Sequence, residues 1–166
     1  FNHETGKLAV AHILHCDIQS APNQIIFSSD ARFLYVISQM ANTITVYSYK
    51  DCGTHPEFCR LQTIPTVGKR SPSSSVTAAL HLGLTSDETH LFFTSAGDNC
   101  LGMLDRDKET GLLTPRFSLP VSGRYPKDFI LFPDEQHICS INYEECTLTF
   151  FTLNYERGLI VMNAAP

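Results

Sequence analysis

The sequence predicts an all-β fold, a β-propeller of four-stranded antiparallel blades, and three observations carry that reading. One ten-residue pattern, a short apolar strand stopped by a Ser/Thr/Pro-x-Asp turn, occurs at 21–30, 78–87 and 125–134. Its closing aspartates Asp30, Asp87 and Asp134 stand 57 and 47 residues apart, and segments 21–49, 78–106 and 125–153 then align without a gap. A period of that size with a gapless core marks repeated supersecondary units. The intervening stretches are rich in β-branched and aromatic residues, which favour strands over helices.

The elements follow in order. Residues 8–14 form an apolar run behind the turn Glu4-Thr5-Gly6-Lys7. Similar turns, Glu109-Thr110-Gly111 and Glu156-Arg157-Gly158, precede the last strands of the second and third repeats, so residues 1–20 read as an orphan outer strand of a preceding blade. A first blade spans 21–65, with an inner strand in 21–30, a second at 33–38, a third at 43–47 and a fourth at 59–64. A second blade spans 78–119 and a third 125–162, on the same plan. Residues 66–77 form a loop, Ser-rich and locally basic at Lys69 and Arg70, on the face where the central channel opens. About three blades plus an orphan strand cannot close a ring and leave apolar blade faces open. The chain is therefore expected to be part of a longer propeller, needing an N-terminal half or self-association to cover those faces.

Bulk properties narrow the partners. Twelve Lys and Arg against seventeen Asp and Glu give a net charge of -5, which does not supply the basic surface a nucleic-acid binder needs. No apolar run approaches the roughly 18 residues of a membrane span, and no leader precedes Gly6, so the expectation is a soluble, cytoplasmic protein. The six cysteines include pairs seven apart, Cys52/Cys59 and Cys139/Cys146, open to bridging or metal binding. Without C-x-x-C spacing and without a leader, reduced thiols and no metal are expected.

The Pro-x-x-Ile/Phe-x-Phe-x-x-Asp inner strands, the Asn42-Thr43-Ile44-Thr45-Val46-Tyr47 third strand and the Glu-Thr-Gly turns together resemble the seven-bladed lactonase family. That family contains the propeller-type 6-phosphogluconolactonases and the fungal carboxymuconate lactonising enzymes. The resemblance covers essentially the whole chain as the C-terminal half or so of such a protein, a partial seven-bladed propeller. It implies hydrolysis of a sugar lactone such as 6-phosphogluconolactone, without a cofactor, by groups at the channel mouth. Where the family's inner strand usually opens Pro-Arg-His, this chain has Pro22-Asn23-Gln24; its Asn-Glu-Leu is Ser38-Gln39-Met40, and its Asn-Arg-Gly is Ser95-Ala96-Gly97.

Glutamine and alanine cannot serve as general base near neutral pH, so the candidates move to other groups in the same phase. His81 stands at the place of Gln24 and Asp128, six residues before the turn aspartate. The expected roles are His81 as base, Asp128 and Glu144 orienting, and Lys127 binding or polarising an anionic group. Asn142, Gln24, Gln39, Lys69 and Arg70 complete the expected substrate-binding set. Asp30, Asp87 and Asp134 are assigned to turn structure. Two function classes follow: a lactone hydrolase acting on a small anionic sugar lactone, or a non-catalytic propeller that binds a ligand or protein on its channel face.

Overall fold

The computed structural model describes residues 3–53, 55–66, 77–157 and 159–162, and among them all regular structure is strand. The first sheet has β1 (Pro22–Phe27), β2 (Phe33–Ser38), β3 (Thr43–Asp51) and β4 (Pro56–Pro65). The second has β5 (Ala78–Leu84), β6 (His90–Ala96), β7 (Cys100–Arg106) and β8 (Leu113–Pro120). The third has β9 (Pro126–Leu131), β10 (His137–Asn142), β11 (Thr147–Asn154) and β12 (Leu159–Met162). Each sheet is a four-stranded antiparallel meander in sequence order. The first strands meet, β1 against β5 and β5 against β9. This is the blade arrangement of a propeller around its axis.

Residues 8–14, expected as an outer strand, carry no strand pairing. An outer strand needs a third strand of its own blade to bond with, and none is present among the described residues. Leu14 and Cys16 instead pack on the outward face of the first blade, against Leu34, Val36 and Tyr47. The expected loop at 66–77 falls on residues 67–76, outside the described ones, and Lys69 and Arg70 with it.

The repeat extends to backbone conformation. Ala31, Glu88 and Glu135 in the turn after each inner strand, and Asn42, Asn99 and Cys146 in the turn before each third strand, all have φ near +50°. These are left-handed positions that most L-residues avoid. In the first of these turns the Ser28 and Thr85 hydroxyls donate to Asp30 and Asp87, whose carboxylates also accept the N–H groups of Arg32 and Thr89. The turn aspartates thus hold local backbone, as the sequence indicates.

Two apolar layers join the blades. One sets Phe33, Tyr35, Ile37, Ile44 and Val46 of the first blade against Ala79, Leu82, Leu91, Phe93 and Leu104 of the second. The other sets Phe92, Leu101 and Met103 of the second against Phe129, Ile138, Phe151 and Leu153 of the third. Two glutamines stitch the first layer at its inner and outer edges. The Gln24 amide donates to the Leu82 carbonyl at 3.2 Å and accepts its N–H at 2.6 Å. Gln62 does the same to Leu113, at 2.9 and 2.8 Å. On the face opposite the channel mouth, Glu88 accepts the Ser29 N–H at 2.6 Å, and Glu135 accepts that of Ser86 in the next pair of blades. Arg106, almost wholly buried, donates to the Tyr35 hydroxyl at 2.5 Å and pairs with Glu88 at 3.3 Å.

Candidate active site at the channel mouth

Every inner strand carries a register shift at the same place. Pairing with the second strand skips Asn23 in β1, Leu80 in β5 and Lys127 in β9. A β-bulge adds one residue to one strand, bends it and re-aims its side chains. Here it lies beside the three positions, 24, 81 and 128, that the repeat places in one phase, so the residues aimed at the channel differ while the backbone device is shared.

The bulges bring His81 and Asp128 together. His81 Nε2 lies 3.1 Å from Asp128 Oδ1, with the histidine side chain 29% exposed and the aspartate 48%. Asp128 Oδ1 also accepts the N–H of Phe129 at 2.7 Å, which fixes the carboxylate. The Phe129 ring meets the imidazole edge-on, with centroids 4.9 Å apart. Burial pushes the His81 pKa below its ordinary value of 6.5, and the Asp128 charge opposes that shift without reversing it. A neutral imidazole, held on one nitrogen by a carboxylate, is the form that can accept a proton.

His81 and Lys127 line one hollow of about 440 Å³ with Asn23, Gln24, Gln39 and Tyr125. Lys127 lies 5.2 Å over the Tyr143 ring, a cation–π contact that holds its ammonium at the rim. Gln24 lines the hollow too, but both ends of its amide are bonded to Leu82, so it acts as an interblade clamp. The Asn23 amide likewise donates to the Leu80 carbonyl. The Gln39 side chain makes no hydrogen bond among the described residues, so its donor and acceptor are both unengaged.

Glu144 and Asn142 do not join this group. Glu144 is exposed and lines a neighbouring hollow of about 420 Å³ with Arg124, Asn99, Ala96 and others. Asn142 is fully buried, where its Nδ2 donates to Thr147 and Thr149 hydroxyls at 3.1 and 2.7 Å and its side chain lies where a Cβ on Gly123 would fall. Among the described residues, no group of three or more His, Cys, Asp and Glu side chains is placed to hold a metal ion, and all six cysteines are free.

Arg124 and Tyr125 are the residues the sequence reading missed. Tyr125 has φ +55° immediately before Pro126, as Ala21 has φ +51° before Pro22. Its N–H donates to Asn99 Oδ1 at 2.9 Å, and its ring packs on Ala78, Leu80 and Ala96. The sequence offers the X-Pro pair as a marker of where these two inner strands open, but the left-handed φ of Ala21 and Tyr125 lies outside the extended region a following proline favours, so it is not legible from that pair. Arg124 is held loosely by Glu145, 3.7 Å away, at the rim of the same hollow.

Comparisons with known proteins agree on the fold. The chain is 22% identical over 143 residues to a 6-phosphogluconolactonase of Bacillus subtilis, covering 86% of this chain and 40% of that protein. It is 28% identical over 142 residues to an uncharacterized protein of Staphylococcus aureus, covering 83% of this chain and 39% of the other. It thus spans about two fifths of these relatives. Among solved structures, the periplasmic gluconolactonase PpgL of Pseudomonas aeruginosa superposes with a TM-score of 0.83 at 23% identity, over 91% of this chain and 41% of that one. A Lactobacillus plantarum protein superposes at 0.86 with 21% identity, over 97% and 46%. No helix among the described residues is long and apolar enough to cross a membrane. The family model described as "Lactonase, 7-bladed beta-propeller" matches residues 1–165, and with three blades of that architecture in place the chain belongs to the seven-bladed β-propeller lactonase family.

Proposed function

We propose that this chain carries the hydrolytic site of a lactonase acting on a sugar lactone such as 6-phosphogluconolactone, with His81 as general base. The observation that carries the reading is the 3.1 Å contact of His81 with Asp128, with His81 on the wall of a hollow that Lys127 also lines. Asp128 accepts a hydrogen bond from the His81 Nε2–H, which holds that tautomer and leaves the Nδ1 lone pair to draw a proton from water. The hydroxide equivalent adds to the lactone carbonyl, and the oxyanion that forms is stabilised by the Lys127 ammonium and the unengaged Gln39 amide. Collapse breaks the ring C–O bond, and the imidazolium returns its proton to the departing alkoxide. The products are a hydroxy acid and the regenerated base, with no cofactor consumed. Family membership supports the reaction class, and the smaller partners of the pair, Phe129 and the inner-strand bulges, support the geometry.

One observation favours the second reading, a non-catalytic module that binds a small ligand or a protein: Gln24, in the same phase as His81 and Asp128, is spent on the Leu82 backbone. Proton release from 6-phosphoglucono-1,5-lactone above its spontaneous rate decides between them. The hydrolase reading expects acceleration that falls by about 10²–10⁴ in His81→Ala. Undiminished turnover in that variant would remove His81 from the mechanism, and no acceleration by the parent chain would favour the binding module.

A further inference from the structure

The two hollows at the channel mouth adjoin, and Gln39 and Tyr125 belong to both. Each is about 420–440 Å³. A six-carbon lactone, with about a dozen heavy atoms, occupies only part of one, since drug-sized ligands fill pockets of about 300–1,000 Å³. The His81 hollow holds the base and Lys127. The second is different in chemistry. Its floor is apolar, built where Tyr125 packs on the buried Ala78 and Ala96. Its rim bears Asn99, Arg124 and Glu144. Arg124 is already shared with Glu145, and Glu144 adds another carboxylate, so the rim offers no net positive charge to a phosphate or carboxylate. An aromatic and aliphatic floor under a rim of mixed donors and acceptors suits a neutral, polyhydroxylated ring, whose C–H faces pack and whose hydroxyls bond at the edge.

We infer that the substrate is a lactone of an aldonic acid bearing a neutral glycosyl substituent. The lactone ring sits by His81, and the substituent crosses the Gln39–Tyr125 divide to lie over Tyr125 and Ala96. This rests on the hydrolase reading for its chemistry: water adds at the lactone carbonyl, the ring C–O bond breaks, and the glycosidic bond is untouched.

Cellobiono-1,5-lactone, glucono-1,5-lactone and 6-phosphoglucono-1,5-lactone, offered separately to the chain with spontaneous hydrolysis subtracted, test the inference. The expected result is a kcat/KM at least tenfold higher for the disaccharide lactone than for either monosaccharide lactone. In Arg124→Ala, an exposed rim substitution, the disaccharide-to-monosaccharide ratio falls at least fivefold. Equal turnover of all three, or preference for the phosphorylated lactone, overturns the inference while leaving the hydrolase reading in place. Calorimetric binding of cellobionate and gluconate separates the two ideas: tighter binding of cellobionate without turnover of any lactone sinks the hydrolase reading, and with it the lactone as substrate, while supporting the second hollow as the seat of the glycosyl group. Equal or absent binding of both acids overturns the inference.

Discussion

At the scale of single residues, the pair His81–Asp128 has a pH signature. Burial lowers the His81 pKa below 6.5, so the folded protein keeps the imidazole neutral where an unfolded chain has begun to protonate. Activity that depends on neutral His81 is therefore retained as pH falls through 6.5, and its acid limb lies lower than that of an ordinary histidine. Stability runs the other way: the unfolded chain binds the proton first, so folding weakens as pH drops below 6.5 until His81 itself protonates. Asp128→Asn removes the charge that props the pKa up, so the acid limb of kcat/KM moves further down while the maximum falls about tenfold or more. A pH–rate profile of the two proteins checks both directions; an acid limb that rises in the variant would refute the pairing. The sequence made this pair legible because the repeat sets residues 24, 81 and 128 in one phase. It could not separate Gln24 from Gln39, which have the same side chain, because the backbone groups of Leu82 that claim Gln24 belong to another blade. Asn142 misled for a related reason: its place at the end of a second strand is right, but its side chain is sealed beneath Gly123 and bonded to Thr147 and Thr149.

At the scale of elements, blades are joined by groups that mimic a strand's hydrogen bonds. The Gln24 and Gln62 amides each offer one donor and one acceptor to a facing residue, as a neighbouring peptide would. Truncating Gln62 to Ala leaves the partly buried N–H and carbonyl of Leu113 without that partner, and an unmade bond at such a site costs about 1–3 kcal/mol. The expected outcome is a lower urea midpoint at unchanged m-value; no change would mean water replaces the clamp. Gly102 on β7 sets a limit of another kind, because a Cβ there would fall 2.2 Å from the Phe93 ring. Gly102→Ala is expected to cost about 1–3 kcal/mol through forced displacement of that ring, read from the same denaturation curves. The turns respond to acid. Asp87 is held down to about 2 by the Thr85 and Thr89 hydroxyls and the Thr89 N–H, against the cost of its burial, and Asp134 is lowered by the Gln136 N–H and His137. Both carboxylates are more easily ionised folded than unfolded, so they contribute stability above about pH 4 that is lost as pH falls toward their folded values. Strand positions were legible because their side chains alternate and their turns recur. The interblade clamps were not, since each joins residues more than fifty positions apart.

At the scale of the whole molecule, the decisive feature is how each blade covers the next. The face of the first blade that bears Tyr35, Ile37 and Val46 is buried by the second, and the matching face of the second by the third. The corresponding face of the third blade is open: Ile130 is 65% exposed, Leu148 56% and Phe150 43%. At the other end Ile25 and Phe27 of β1 lie exposed beside a hollow that the segment around Leu14 only partly fills. The repeat period made the number of blades legible and, with it, the open faces, whereas the fate of residues 8–14 depended on a pairing partner no local pattern supplies. Contiguous apolar faces of this kind are unfavourable in water and drive association. Each exposed face also matches in kind the faces already packed inside the chain, so further blades or further copies would bury it by the same blade-on-blade contact. The 166-residue chain is accordingly expected to associate with rising concentration and to bind a dye selective for exposed apolar surface. Substituting Leu148 and Phe150 by Lys, on the open face, is expected to weaken association at least tenfold while strand content by circular dichroism is retained. Sedimentation across a hundredfold concentration range reads the result. A monomer throughout that binds no dye would mean that these faces are covered by other means, and the requirement for added blades would fall.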